Sequence, residues 1–502
     1  MESLSPIILT LVTFIPAAGG LLILLIPRRD RDIKLFALVI SILAFVASLH
    51  LPVHMHRELG TFKFEIDKVW ITTPNIHYHM GIDGISVWLV VLTTFLTPLC
   101  VLISWTSIHE RVKEFFILLL ILESALIGVF TSLDLFLFYF FYEATLIPMA
   151  LLIGMYGHGR KVYAAVKFFL FTMIGSMFML AAIIWLYAKT GSFDFAVIQN
   201  AIRSGSVPGF EAASFWLFLG FFVAFAVKVP IFPLHTWLPD AHVEAPTAGS
   251  VLLAGVLLKM GTYGLIRFNV GLFPEQARRN APWIMVLALI GIIYGALVSL
   301  VQPNMKKLIA YSSVSHLGFV VLGIFSFTTA GLNGAVFVML AHGVATGGLF
   351  MLAGILYERR HTYEICEFGG LATTMPKYAT FFLVTVLASV GLPLMSGFIG
   401  EFLVLTGAFQ AKPIYGILAA TGIIWSAGYL LWMYQRVFFG KVTHDVNLTL
   451  PDLNMREKVA LSPIAIAALV MGVAPLIWLS AIDPAVQAAL GLTQLASKVV
   501  GQ

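Results

Sequence analysis

Charge is scarce in this chain: Asp, Glu, Lys and Arg make up 11% of its 502 residues, where a water-soluble globular protein carries about 25%. With 60% hydrophobic residues and a mean hydropathy of +0.95, that scarcity excludes a soluble domain and defines a protein dissolved in a lipid bilayer. Cysteine is scarcer still. Cys100 falls in an apolar run and Cys366 in a loop, with no C-x-x-C or larger ligand set, which excludes an iron–sulfur cluster held by this chain. No G-x-G-x-x-G or Walker pattern is present, so nucleotide binding has no carrier. The net charge of +5 is too small and dispersed for a nucleic-acid partner.

What the chain has instead is apolar runs of spanning length. A span needs about 20 apolar residues, and fourteen runs qualify: 4–26, 33–51, 82–104, 114–132, 134–153, 163–188, 213–235, 246–268, 281–301, 307–326, 331–357, 377–407, 413–438 and 459–480. The expected fold is an all-α polytopic membrane protein. The first run, Leu4 to Ile26, lacks a positive n-region and reads as a membrane helix, not a cleaved signal. Loops after odd-numbered spans hold 17 Lys and Arg residues, among them Arg28, Arg160, Lys306, Arg359 and Lys458. The opposite side holds 10, including Arg57, Arg267 and Lys498. The positive-inside rule then places both termini outside the cytoplasm. Within the connection 52–81, His54, His56, His77 and His79 form H-x-H pairs, but no carboxylate or cysteine pattern completes a metal site, and the segment reads as a solvated loop.

One stretch organises the rest: FFVAFAVKVPIFPLHTWLPDAHVEAPTAGSVLLAGVLLKM, Phe221 to Met260. An apolar helix meets Lys228, then Pro230 and Pro233, which must break or kink it. Backbone freed inside a bilayer is tolerated only in a protein interior or beside internal water. A mid-membrane lysine costs about 2.5–3.5 kcal/mol and usually marks an ion path. Lys228 thus points to a protonatable site beside a helix break. Four deep ionisable residues also recur in register. Lys228 follows Glu143 by 85 residues, Glu401 follows His316 by the same 85, and the two pairs stand 173 apart. Glu401 follows its own break at Gly391, Pro393 and Gly397, and Lys167 lies 175 before His342. The register predicts two five-span units, 114–268 and 281–438, between an N-terminal segment 1–113 and a C-terminal segment 439–502. An odd span count inverts the second copy, as in many transporters.

A proton path needs groups whose protonation states are close in energy, and histidine, with an unperturbed pKa of about 6.5, suits its middle. Glu143 and Lys228 form the expected exchanging pair, and Lys259, His316, His342 and Glu401 extend a relay across the midplane. Each membrane histidine has an alternative use as a helix-packing hydrogen bonder. Glu123 and Lys167 are secondary candidates, turned toward a partner subunit or a helix end. Asp134 reads as an interfacial cap, and Gly343, Gly347 and Gly348 as close helix packing.

KVPIFPLHTWLPDAHVEAPTAGSVLLAGVLLKMGTYGLIR resembles the signature of the antiporter-like subunits of respiratory complex I. MGIDGISVWLVVLT, DLFLFYFFYEATLIPM, KKLIAYSSVSHLGF and GLPLMSGFIGEF resemble its chain M group in particular, the bacterial relatives of mitochondrial subunit 4. Glu401 stands where sibling subunits typically carry lysine, and the C-terminal extension of chain L is missing. The resemblance covers nearly the whole chain. It implies fourteen helices with paired inverted five-helix repeats, an essential Glu143–Lys228 pair, and a hydrophilic axis through Lys259, His316, His342 and Glu401. It also implies a multi-pass subunit of a bacterial cytoplasmic membrane beside other membrane-arm subunits, sibling antiporter-like subunits among them. NADH, FMN, iron–sulfur clusters and quinone would belong to partner subunits, with no cofactor here. The competing readings are a subunit of a multisubunit cation/proton antiporter or membrane-bound hydrogenase, and a structural membrane scaffold.

Overall fold

The computed structural model describes residues 5–25, 29–55 and 62–491. Leu4, Ile26, Arg28, His56, Arg57 and Lys498, which entered the readings of spans and loops, lie outside the described residues. The chain begins with α1 (Ser5–Ile23) and α2 (Asp30–Val53), then a hairpin of β1 (Lys63–Ile71) and β2 (Ile76–Ile82), followed by α3 (Ser86–Ile103) and α4 (Val112–Thr131). Next come α5 (Leu135–Ala144), α6 (Leu146–Tyr156), α7 (Lys161–Thr190), the short α8 (Phe195–Arg203) and α9 (Phe210–Lys228). Two short helices, α10 (Trp237–Glu244) and α11 (Thr247–Leu252), lead into α12 (Leu258–Gly264), which π-helical turns bracket at Leu253–Leu257 and Leu265–Val270. The second half holds α13 (Pro274–Leu300), α14 (Met305–Phe325), α15 (Thr329–Arg360), α16 (Leu371–Thr374), α17 (Pro376–Val390), α18 (Ser396–Ala411) and α19 (Pro413–Phe438). It closes with α20 (Met455–Val473) and α21 (Leu476–Ala489).

Among the described residues eleven helices are long and apolar enough to cross a bilayer, or twelve if α20 and α21, bent by 66°, make one span. The expected fourteen is reached only by adding two shorter apolar helices, Ile7–Ile23 and Pro376–Val390. Hydropathy does not see where a run stops being one helix. Run 134–153 is α5 and α6, parted at Thr145, and run 377–407 is α17 and α18, parted between Val390 and Ser396. The layers follow from which helices are apolar all round. Segment 247–270, α14 and α15 are enclosed by protein, whereas α2, α7 and α19 show Val46, Ile184 and Ile424 to the outside, the side a bilayer covers. Close approach at the centre needs glycine. A Cβ on Gly343 of α15 would lie 2.6 Å from Leu92 and 3.0 Å from the Gly255 carbonyl, and one on Gly334 would lie 2.5 Å from the Val404 nitrogen.

The expected solvated loop at 52–81 is largely the antiparallel hairpin β1–β2. Its strands escaped the span reading because they mix polar and apolar residues over only nine and seven positions. The hairpin is tied to helix starts. Asp134 caps α5, accepting from Phe136 N and Leu137 N at 2.9 Å each, as its reading as a cap requires, and also accepts from His77 N at 3.2 Å. Asp134 and Asp194 make a strand bridge through their neighbours (Leu135 N to Phe193 O 2.8 Å; Phe195 N to Leu133 O 2.9 Å), and 170 residues later Asn304 and Glu364 repeat it (Met305 N to Tyr363 O 2.8 Å; Ile365 N to Pro303 O 2.8 Å).

His79 of the hairpin hydrogen-bonds Asp194, the cap of α8. Burial alone would lower the His79 pKa, but the Asp194 carboxylate beside it, with Asp67 and Glu65 nearby, raises it overall. Burial alone would raise the Asp194 value, and His79 with the Val197 N–H holds it below the usual range. His79 therefore stabilises the hairpin fully below an ordinary histidine pKa of about 6.5, and that contribution is lost as pH rises through its raised value. Asp194 contributes above the ordinary carboxylate pKa and loses it as pH falls through its depressed value. Hydrogen exchange of hairpin amides, corrected for intrinsic rates, is expected to quicken above neutral pH. His79→Gln is expected to flatten that dependence; an unchanged slope would show that the pair does not fasten the hairpin.

Candidate functional site

Breaks in the helices carry the charged side chains. α9 stops at Lys228, and Pro230 and Pro233 fall in the non-helical turn before α10. The turn is pinned where Trp237 Nε1 donates to the Val227 carbonyl at 2.8 Å. The Lys228 side chain is wholly buried and its Nζ has no hydrogen-bond partner. It lies 5.2 Å from the Tyr142 ring centre and 5.3 Å from that of Phe168, whose π faces attract an ammonium. Glu143 sits one residue before the end of α5, with Oε1 unpartnered, within electrostatic range of Lys228. No ion pair within 4.0 Å joins the two: the structure holds them near each other and open.

Lys259, His342, His316 and Glu401 are brought into one line. Lys259 Nζ donates to His342 Nδ1 at 2.7 Å and to the Ala254 carbonyl, which the first π turn presents toward it. A donor at Nδ1 places the proton of a neutral His342 on Nε2, and Nε2 has no partner. The His342 and His316 rings stand 5.9 Å apart. His316 Nδ1 lies 2.9 Å from Glu401 Oε1, and Tyr429 OH lies 3.5 Å from His316 Nε2. A small void of about 10 Å³, room for about one water molecule, borders both histidines, Thr346, Ser389 and Glu401. Glu401 reaches this place because Pro393 lies in the gap between α17 and α18, turning the first helical turns of α18 inward.

The secondary candidates stand apart. Glu123 is fully buried on α4 beside Thr97 and Cys100, with neither oxygen hydrogen-bonded. Lys167 makes a 2.6 Å ion pair with Asp240 of α10. Two residues assigned to loops by their position are instead buried. Lys306 is 2% exposed and Arg267 pairs with Asp83 at the start of α3. Sequence reading also missed His242, wholly buried, stacked on Phe350 at 4.4 Å and without a partner on either ring nitrogen. The signal was its spacing: His235 and His242 follow Lys228 at seven and fourteen residues. No group of three or more His, Cys, Asp or Glu placed to hold a metal is found among the described residues.

A helical bundle that is apolar outside, with ionisable side chains at helix breaks and in line at its centre, defines a polytopic membrane protein with a charged interior. Residues 132–425 match the family described as NADH:quinone oxidoreductase/Mrp antiporter transmembrane region, and residues 22–129 match the amino terminus of NADH-ubiquinone oxidoreductase chain 4. NADH-quinone oxidoreductase subunit M of Rhodobacter capsulatus is 44% identical over 494 residues, covering 95% of each chain. A chain of respiratory complex I from Thermus thermophilus with bound NADH superposes with a TM-score of 0.88 at 34% identity, covering 96% of this chain and 99% of that one. A chain of the Mrp complex from Dietzia sp. DQ12-45-1b shares the fold alone, with a TM-score of 0.84 at 20% identity over 97% and 100% of the two chains. The chain belongs to the family of NADH-quinone oxidoreductase subunit M, the chain 4 subunits.

Proposed function

We propose that this chain is a proton-translocating subunit of the membrane arm of an NADH:quinone oxidoreductase, standing beside other membrane-arm subunits, antiporter-like siblings among them. The observation that carries the reading is the buried line Lys259–His342–His316–Glu401, with contacts of 2.7 and 2.9 Å at its ends and one ring-to-ring gap of 5.9 Å. Such a line passes a proton by alternate gain and loss of N–H and O–H bonds. Lys228 and Glu143 supply the pair whose approach or separation sets the charge at the other end. Electron transfer from NADH through FMN and iron–sulfur clusters to quinone takes place in partner subunits, which makes the assembled enzyme a translocase and leaves this chain without a redox centre.

The doubled Asp134–Asp194 and Asn304–Glu364 bridges, 170 residues apart, support two related units at 114–268 and 281–438, flanked by segments 1–113 and 439–502. The bias of basic residues supports non-cytoplasmic termini in a bacterial inner membrane. The test is purification of the tagged chain in mild detergent with an NADH:quinone reductase assay. Flavin, iron–sulfur proteins and inhibitor-sensitive activity in the purified assembly are expected. An assembly of membrane subunits alone, with cation/proton exchange in vesicles, would overturn the reading in favour of an antiporter.

A further inference from the structure

The buried line must meet water somewhere, and residues 242–244 at the end of α10 reach from the interior toward the surface within three positions. His242 is buried against Phe350 and lies within electrostatic range of Lys259 and Lys306. Two residues on, Glu244 is half-buried, and its carboxylate sits over the exposed turn His158–Arg160. There the His158 N–H donates to the Glu244 carbonyl at 2.9 Å, and a Cβ on Gly159 would come within 2.7 Å of the carboxylate. Between the two stands Lys306 from the start of α14. Its ammonium donates to the carbonyls on either side of Glu244, Val243 at 3.3 Å and Ala245 at 2.6 Å, and lies 5.1 Å from the Tyr363 ring centre. Helix ends leave carbonyls unsatisfied, so one buried ammonium holds the peptide units that aim His242 inward and Glu244 outward.

We propose that the end of α10 is the aqueous entrance to the proton line, with Glu244 as the surface group that collects the proton and Lys306 as the positioning residue that keeps Glu244 and His242 in register. The inference rests on the proton-translocating role proposed for the chain. The Glu244 carboxylate takes a proton from bulk water, forming an O–H bond, and is regenerated when a ring nitrogen of His242 gains that proton. No other reactant is consumed. Burial pushes the Glu244 carboxyl above the usual carboxylate range, against the Arg160 backbone N–H and the Lys306 charge, with Asp240 adding to the rise. The other charged and titratable groups near it are the Arg160 guanidinium and His158 on the α6–α7 turn and Tyr357 on α15. Lys306 faces His242, His158 and Tyr363 besides Glu244. The entrance opens on the face carrying Arg160, Lys161, Arg359 and Arg360, cytoplasmic in the orientation proposed.

Inverted membrane vesicles containing the assembled complex expose that face to the bulk, so bulk pH becomes entrance pH. The NADH-driven pumping rate is measured from about pH 6 to 8.5 in Glu244→Gln, Lys306→Met, Lys306→Arg and Lys228→Ala. Glu244→Gln is expected to pump about three-fold slower or worse at pH 8 and near normally at pH 6, since a surface collector matters most when free protons are scarce. Lys306→Met is expected to show the same pH-dependent loss, and Lys306→Arg to restore most of the rate. A wild-type pH profile in Glu244→Gln overturns the proposal, as does a loss in Lys306→Met that is uniform in pH and not restored by arginine. Should Lys306→Met fail to assemble, the half-buried Glu244 variant still decides. Normal pumping in Lys228→Ala as well would remove the relay itself, whereas slow pumping there with an unaffected Glu244→Gln removes only the entrance.

Discussion

Lys228→Ala is expected to leave the complex assembled while NADH-driven pumping falls roughly a hundredfold or more, within the range general acid–base groups contribute. Survival of the fold follows from the environment of the ammonium. Removing a charged group is destructive when it orphans a buried partner, and Lys228 Nζ has no hydrogen-bonded partner to orphan. What it leaves behind are two aromatic rings, Tyr142 and Phe168, which tolerate a neutral neighbour. Glu143→Ala is expected to assemble as well: Oε1 is unpartnered, and the Ser176 hydroxyl beside the carboxylate keeps its bond to the Met173 carbonyl at 2.9 Å. Loss of pumping follows from the charge itself: without either member, nothing at the α5 and α9 breaks can change charge between open and closed arrangements. The measurement is quenching of a ΔpH-sensitive dye in vesicles, normalised to the amount of assembled complex. Normal pumping in both variants would sink the relay and leave the scaffold reading, in which these charges only pack helices.

Arg267→Met has the opposite signature, a folding defect. Arg267 Nη2 holds Asp83 Oδ2, its Nε reaches Tyr263 OH at 3.3 Å, and the Arg267 and Asp83 side chains are 10% and 9% exposed. Removing one member of a buried pair strands the other charge, at a cost of about 3–5 kcal/mol. The expected result is sharp loss of the subunit from the membrane and a lowered Tm in detergent. Combining it with Asp83→Asn is expected to recover most of the loss. The asparagine retains the Oδ1 acceptor that caps Ile85 N and Ser86 N at 3.0 and 2.9 Å, and no charge is left unpaired. If Arg267→Met assembles with an unchanged Tm, the pair does not hold α3 to the end of the π-helical segment.

Sequence alone locates the charged residues well, because an ionisable side chain in an apolar run announces itself by its cost. It does not say which will touch. Lys259 and His342 stand 83 residues apart and His316 and Glu401 85, and their contacts depend on two glycines meeting, Gly255 and Gly343, and on a break that turns Glu401 inward. Neither is a property of one run. The Thr145 break behind Glu143 is masked in hydropathy because LIPM after it is as apolar as FYFF before it, and only Pro148 signals it. Lys306 and Arg267 were misplaced for the converse reason: charge near a run's end is read as water, although carbonyls or a carboxylate can satisfy it inside protein. His242 was legible as a spacing and not as a site.

The π turns on either side of Lys259 separate how far the chain has travelled from which way its side chains point. A π turn accommodates one residue beyond what an α-helix needs, and each residue of an α-helix rotates the next by about 100°. The direction in which Lys259 faces His342 is therefore set by one surplus residue within Leu253–Leu257, while the second turn, Leu265–Val270, shifts the phase by about a further 100° before the chain enters α13. A single-residue deletion in the first turn would shorten the helix into a regular one and swing the lysine off the axis. In these helices the reading frame of the side chains, as much as their identity, is what is being kept.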